Sequence, residues 1–165
     1  MKTLTLVRHA KSSWKQAGLS DFERPLNRRG ERDAPAMGRH LASIGLVPDV
    51  IVSSPAVRAL ATARALADAL GRAPVLVEEP AVYAADAAEL LHVVRAIGTE
   101  VEHAFLVGHN PGMAELLDAL TGATPEKFVT CGVAVVELDA ASWRRTAPGV
   151  GKLVRFMAPK SIPDG

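Results

Sequence analysis

Short apolar, β-branched runs, each followed by a stretch with helical spacing, recur four times before residue 122, and this alternation constrains the fold most. Thr3–Val7 opens the series. Val50–Ser53 follows Pro48-Asp49, Val75–Glu78 follows Pro74, and Ala104–Val107 follows a run of charges. The runs are continuously apolar, which predicts strands covered on both faces, as in a parallel sheet. Strand–helix repetition of this kind predicts a three-layer α/β/α sandwich.

The intervening helices have readable ends. Ser54-Pro55 predicts a cap and a first-turn proline, then Leu60, Ala63, Ala67 and Leu70 recur at helical spacing up to Gly71. Asp86 with Glu89 reads as a capping box ahead of Leu90, Val94 and Ile97. Asn110-Pro111 opens a helix carrying Met113, Leu116, Leu117 and Leu120, closed by Gly122. From about Asn27 to Ile44 the spacing is also helical, but Pro35 inside it predicts a late start or a kink. Val133–Leu138 and Leu153–Met157, joined through Pro148-Gly149, read as a C-terminal pair of strands. No repeat, linker or inserted cap subdomain is visible, so residues 1–165 are expected to form a single domain.

At 165 residues, 48% apolar and 22% charged, the chain can bury roughly two-thirds of its unfolded surface and needs no disulfide or metal to hold a core. Cys131 is the only cysteine, which excludes an internal disulfide framework or a cysteine-clustered metal site. The net charge of +1 gives no global attraction for nucleic acid or an anionic membrane. Nor is any apolar run long enough to span a bilayer. Met1–Val7 is too short for a signal-peptide core, so a cytoplasmic location is expected.

The placement of polar residues carries the functional information. Arg8-His9 follows the first strand, Arg58 lies in the first turn of the helix after the second, and His109 follows the fourth. Parallel strands end on one edge of a sheet, where ligands bind. Two arginines and two histidines therefore meet at one rim, with helix starts near Pro55 and Pro111 aiming N–H groups and positive dipole ends at it. Guanidinium forks match a phosphoryl group, which is the expected ligand. Arg8 and His9 can share a site only if the strand ends at Val7 and the chain turns there, because neighbours in a strand point to opposite faces.

Leu6-Val7-Arg8-His9-Ala10, Ser53 to Ala63 around Arg58, and Val107-Gly108-His109-Asn110-Pro111 resemble the three signature segments of the histidine phosphatase (phosphoglycerate mutase-like) superfamily. The short length, with Arg24-Pro25-Leu26 leading to Gly30, resembles its small SixA-type phosphohistidine phosphatase branch. The resemblance implies that His9 is a nucleophile forming a phosphohistidine intermediate. It further implies that Arg8, Arg58 and His109 bind the phosphoryl oxygens, with His109 protonated when phosphate is bound. Arg24 is implied as a further substrate-binding residue, with no cofactor and no metal.

The departure from larger superfamily members is the general acid. They carry an acidic donor on a longer insertion, whereas Glu79 to Ala85 leaves no room for one. Asp21, Glu23, Asp86 and Glu89 are the nearest carboxylates. Asp86 and Glu89 read as a capping box, and Asp21 and Glu23 as loop charges able to pair with Arg24. A phosphoramidate needs less help, because its imidazole leaves readily once protonated, while an alkyl ester needs a proton donor more. The expected substrate is a phosphorylated protein carrying phosphohistidine. The alternatives are a small phosphate ester, hydrolysed on the same scaffold, and a phosphate-binding module without turnover. The oligomeric state is not encoded in any feature of the sequence.

Overall fold

The computed structural model describes residues 1–163 apart from 72, 73, 124 and 126. The elements are β1 (Lys2–Arg8), α1 (Arg28–Ser43), β2 (Val50–Ser53), α2 (Val57–Ala69), β3 (Val75–Glu78), α3 (Ala87–Arg95), β4 (His103–Gly108), α4 (Gly112–Thr121), β5 (Val133–Leu138) and β6 (Gly151–Met157). The strands form one sheet in the order β3-β2-β4-β1-β5-β6. The first three pairings, β3-β2, β2-β4 and β4-β1, are parallel, while β5 runs antiparallel to β1 and β6 antiparallel to β5.

Strict alternation along the central strands builds two cores. Leu4, Leu6, Ala104, Leu106 and Val136 face one side, with Leu90, Val94, Leu116 and Leu120 of α3 and α4. Val7, Ile51, Phe105, Val107 and Val135 face the other, with Met37, Leu41, Ala59, Ala63 and Leu66 of α1 and α2. The result is the expected α/β/α sandwich. α1 and α2 approach closely: a Cβ on Gly38 would stand 2.7 Å from that of Ala69. The small-residue run of α2 permits this contact.

Several expectations need correction. α1 starts directly after Asn27, whose side chain accepts the Gly30 N–H, and runs through Pro35. A cap at the start of the helix and a buried apolar face outweigh the one hydrogen bond Pro35 cannot donate. α2 starts two residues later than Ser54-Pro55 predicts, with no side-chain cap. Covering on both faces holds for the central strands but not for β3, where Leu76 packs on the α2 side while Val75 and Val77, on the other face, are exposed. The link from β3 to α3 contains one 3₁₀ turn, Pro80–Val82, and no inserted subdomain. Asp86 and Glu89 form the expected capping box. Among the described residues, no helix is long and apolar enough to cross a membrane.

The topology determines where a site can form. β1 and β4 are parallel neighbours, yet α1 follows β1 onto one face and α4 follows β4 onto the other. Their C-terminal ends therefore flank a crevice, the switch point at which open α/β sheets bind ligands.

Candidate active site

A cavity of about 520 Å³ occupies that crevice, and its lining includes Arg8, His9, Arg24, Arg58 and His109. The structure thus brings all five sequence-derived residues together. β1 does not stop at Val7. Arg8 pairs with Gly108 of β4, and the His9 N–H still donates to the Gly108 carbonyl at 3.0 Å. The two side chains share the cavity because the sheet ends there. Arg8 extends from the face of α3 and α4, where it donates to the Phe128 carbonyl at 3.1 Å, while His9 lies on the opposite face against Arg58 of α2.

His9 is buried, and its Nδ1 lies 2.8 Å from the Ala10 carbonyl. A carbonyl only accepts, so Nδ1 carries the proton and Nε2 keeps its lone pair. That Nε2 faces the Nε–H of Arg58 at 3.4 Å. Burial pushes the imidazole down to about 3, with the charges of Arg58 and Arg8 acting in the same direction. His9 is therefore neutral at physiological pH. Ala10 is itself held, since its N–H donates to the Thr62 hydroxyl at 3.0 Å and that hydroxyl donates to the Arg58 carbonyl at 2.8 Å.

His109 stands with its ring 5.1 Å from that of His9. Its Nε2 lies 2.8 Å from the Ser54 hydroxyl, and its Nδ1 lies 3.4 Å from the Arg58 guanidinium. Because Arg58 can only donate, Nδ1 is the acceptor and Nε2–H donates to Ser54. Ser54, expected as a helix cap, instead accepts from both His109 and the Ala56 N–H, at 3.2 Å for the latter. Burial, then the nearby Arg58 charge, holds His109 down to about 4, so without a bound anion it is neutral.

Asp21 departs most from its sequence reading. It does pair with Arg24, at 3.1 Å, but it is not a peripheral loop charge. It lines the cavity, accepting from Arg58 at 2.9 Å and from the Tyr83 hydroxyl at 2.8 Å, while its carbonyl accepts from Arg58 at 2.6 Å. The Tyr83 hydrogen bond, opposed by burial and followed by the two from Arg58 and Arg24, holds its carboxyl down at about 2. Asp21 is therefore ionised and has no proton to give near neutral pH. Glu23 bonds instead to the Ser20 N–H and hydroxyl, and Glu89 to the Asp86 N–H. Asp86 lines the cavity but accepts from the Glu89 N–H at 2.8 Å.

Sequence reasoning missed Tyr83, Trp14 and Glu115, which also line the cavity. Trp14 is 77% exposed and stacks on Arg24, whose guanidinium carbon sits 3.4 Å from the ring centre. Arg24 is further held by the Ser12 hydroxyl at 2.7 Å. Glu115, in the first turn of α4, was legible as a rim residue from its position after His109, since α4 leads directly out of the strand end.

The arrangement offers three guanidinium groups and a neutral imidazole with an exposed lone pair inside one half-buried cavity. A set of this kind has the chemistry to bind a tetrahedral oxyanion and to attack its centre. Residues 4–81 match the histidine phosphatase superfamily (branch 1). An uncharacterised chloroplastic protein of Arabidopsis thaliana is 32% identical, the match covering 97% of this chain and 79% of that one. A crystal structure from Agrobacterium tumefaciens, assigned as the phosphohistidine phosphatase SixA, is 33% identical with a TM-score of 0.83, covering 96% and 98% of the two chains. The protein histidine phosphatase SixA complexed with tungstate shares the fold, with a TM-score of 0.82 at 24% identity over 96% and 97%.

Proposed function

Because this chain belongs to the histidine phosphatase superfamily, in its SixA-type branch, we propose that it is a phosphatase that removes the phosphoryl group from phosphohistidine on a protein, with His9 as nucleophile. The observation that carries this reading is the state of His9: its Nδ1–H is tied to the Ala10 carbonyl, and its Nε2 faces Arg58 in the cavity that Arg8 and His109 also line.

In this mechanism Nε2 of His9 attacks phosphorus as the P–N bond to the substrate imidazole breaks. The substrate ring enters with its other nitrogen protonated from solvent, so that when the P–N bond breaks it departs as neutral imidazole and needs no acid from the protein. Water then attacks the phosphorus of phospho-His9, releasing inorganic phosphate and a proton and restoring neutral His9. Arg8, Arg24 and Arg58 hold the oxygens through both steps, each donor contributing about 3 kcal/mol to the barrier reduction. Burial and then the Arg58 charge hold His109 down, and a bound dianion opposes both, so His109 gains a proton at Nδ1 on binding and donates to a phosphoryl oxygen.

The ionised state of Asp21 supports a substrate with a good leaving group, since this carboxylate cannot protonate an alkoxide. A second reading, hydrolysis of small phosphate esters, rests on Glu115, which lines the cavity and whose carboxylate has no hydrogen bond or ion pair among the described residues. Parallel assays of a phosphohistidine-bearing phosphotransfer protein and p-nitrophenyl phosphate, with wild type and His9→Ala, separate the readings. The proposed function predicts turnover of the protein, lost in His9→Ala. Turnover of the ester alone, also lost in the variant, selects the small-molecule reading.

A further inference from the structure

A second cavity, of about 410 Å³, lies beside the first and shares Arg8, Lys11 and Thr130 with it. Its charged lining residues are Arg8, Lys11, Arg29, Lys127 and Lys160, and no described carboxylate lines it. This concentration is not a property of the chain at large, whose net charge is +1. The five cations converge from the end of β1, the segment after it, the start of α1, the loop before β5 and the turn after β6. Arg29 is partly offset by Asp33 at 3.5 Å, but Lys11, Lys127 and Lys160 are exposed and their ammonium groups have no ion pair or hydrogen bond among the described residues. Arg8, at the seam of the two cavities, keeps a buried Nε–H without a partner among the described residues. Like charges are gathered here at a cost in mutual repulsion, which an anionic ligand would relieve.

The rim of the first cavity indicates the kind of ligand. Trp14 is 77% exposed and Phe22 37% exposed. Phe22 meets Tyr83 edge-on at 5.1 Å, so the apolar groups adjoin the same mouth. An exposed indole beside a phosphate site and a basic groove leading away from it fit an extended polypeptide better than a small metabolite, which would fill one cavity and leave the rest untouched. We propose that the basic groove is a docking subsite for Asp or Glu side chains that flank the phosphorylated residue of a protein substrate. This rests on the phosphoprotein reading above and adds a sequence preference to it.

The test uses two synthetic phosphohistidine peptides, identical except for flanking Glu or Gln, with wild type and the Lys127→Gln/Lys160→Gln double variant. Wild type is expected to prefer the Glu peptide by about tenfold in kcat/KM at low salt, the preference shrinking as salt is raised. The double variant should lose the preference while hydrolysing the Gln peptide at the wild-type rate. Equal turnover of both peptides by wild type, or an undiminished preference in the double variant, overturns the proposal. So does indifference to flanking Glu combined with a tenfold gain on a small bisphosphate over a monophosphate. If neither peptide is hydrolysed, the phosphohistidine reading fails, and the groove is judged by competition with p-nitrophenyl phosphate hydrolysis. Inhibition by the unphosphorylated Glu peptide and not the Gln peptide, lost in the double variant, upholds the subsite; equal inhibition by the two overturns it.

Discussion

Thr62→Val is the substitution that most cleanly separates the orientation of His9 from the binding of phosphate. Thr62 is fully buried on α2, and its hydroxyl accepts the Ala10 N–H at 3.0 Å while donating to the Arg58 carbonyl. Ala10 in turn accepts from His9 Nδ1. Valine matches the shape of threonine but leaves the Ala10 N–H buried without a partner, which costs about 1–3 kcal/mol. For a chain of this length the melting temperature should fall by roughly 2–4 °C per kcal/mol. A displaced Ala10 carbonyl no longer fixes the His9 tautomer and ring, and a small misplacement of a nucleophile lowers kcat by about 10- to 100-fold. KM should hardly change, because Arg58 stays anchored on Asp21 and Arg24 on Ser12. The assay pairs thermal denaturation with steady-state kinetics on p-nitrophenyl phosphate, with Thr62→Ser, which keeps the hydroxyl, restoring both. A loss of melting temperature with kcat unchanged would refute the claim that this hydrogen-bond chain orients His9.

Three other outcomes are expected. His9, His103 and His109 are held down to about 3, 4 and 4, chiefly by burial, so the unfolded chain takes up protons near pH 6.5 that the folded chain refuses until near pH 4. Stability must therefore fall as pH drops through that window, on the order of 1–2 kcal/mol per histidine by pH 5, and a urea midpoint unchanged between pH 7.5 and 5 would contradict it. Arg58→Lys keeps the charge but loses the fork that reaches His9, His109 and Asp21, and kcat/KM should drop about 100- to 1000-fold. A drop below fivefold would assign Arg58 a lesser role. Gly112→Ala would drive a Cβ into the Ala85 carbonyl, backbone against backbone, and should cost at least about 1–3 kcal/mol, measured as a lowered melting temperature.

The parts of the site legible in the sequence are those that follow strand ends directly. Arg8, His9 and His109 stand where a parallel sheet must deliver them, and Arg58 stands in the first turn of the helix after β2. The capping box at Asp86 and the left-handed Gly122 that closes α4 were legible for the same reason: a helix end is determined by a few adjacent residues. What escaped depends on segments meeting in space. Arg58 and Asp21 are 37 residues apart, Tyr83 and Asp21 are 62 apart, and neither contact has a local signature. Ser54 has the chemistry of a cap and sits beside a proline, yet its hydroxyl serves His109, because the partner that claims it arrives 55 residues later. The same limit explains β3: its apolar run matches the central strands, and only its edge position leaves Val75 exposed.

The central claim is that the phosphoryl group passes through His9. Rapid acid-free quenching during turnover of a 32P-labelled substrate, followed by digestion and mass spectrometry, measures this directly. The account predicts a base-stable, acid-labile phosphoryl label on the peptide containing His9, absent from His9→Ala. Turnover that persists in His9→Ala, or a label on any other residue, would contradict it.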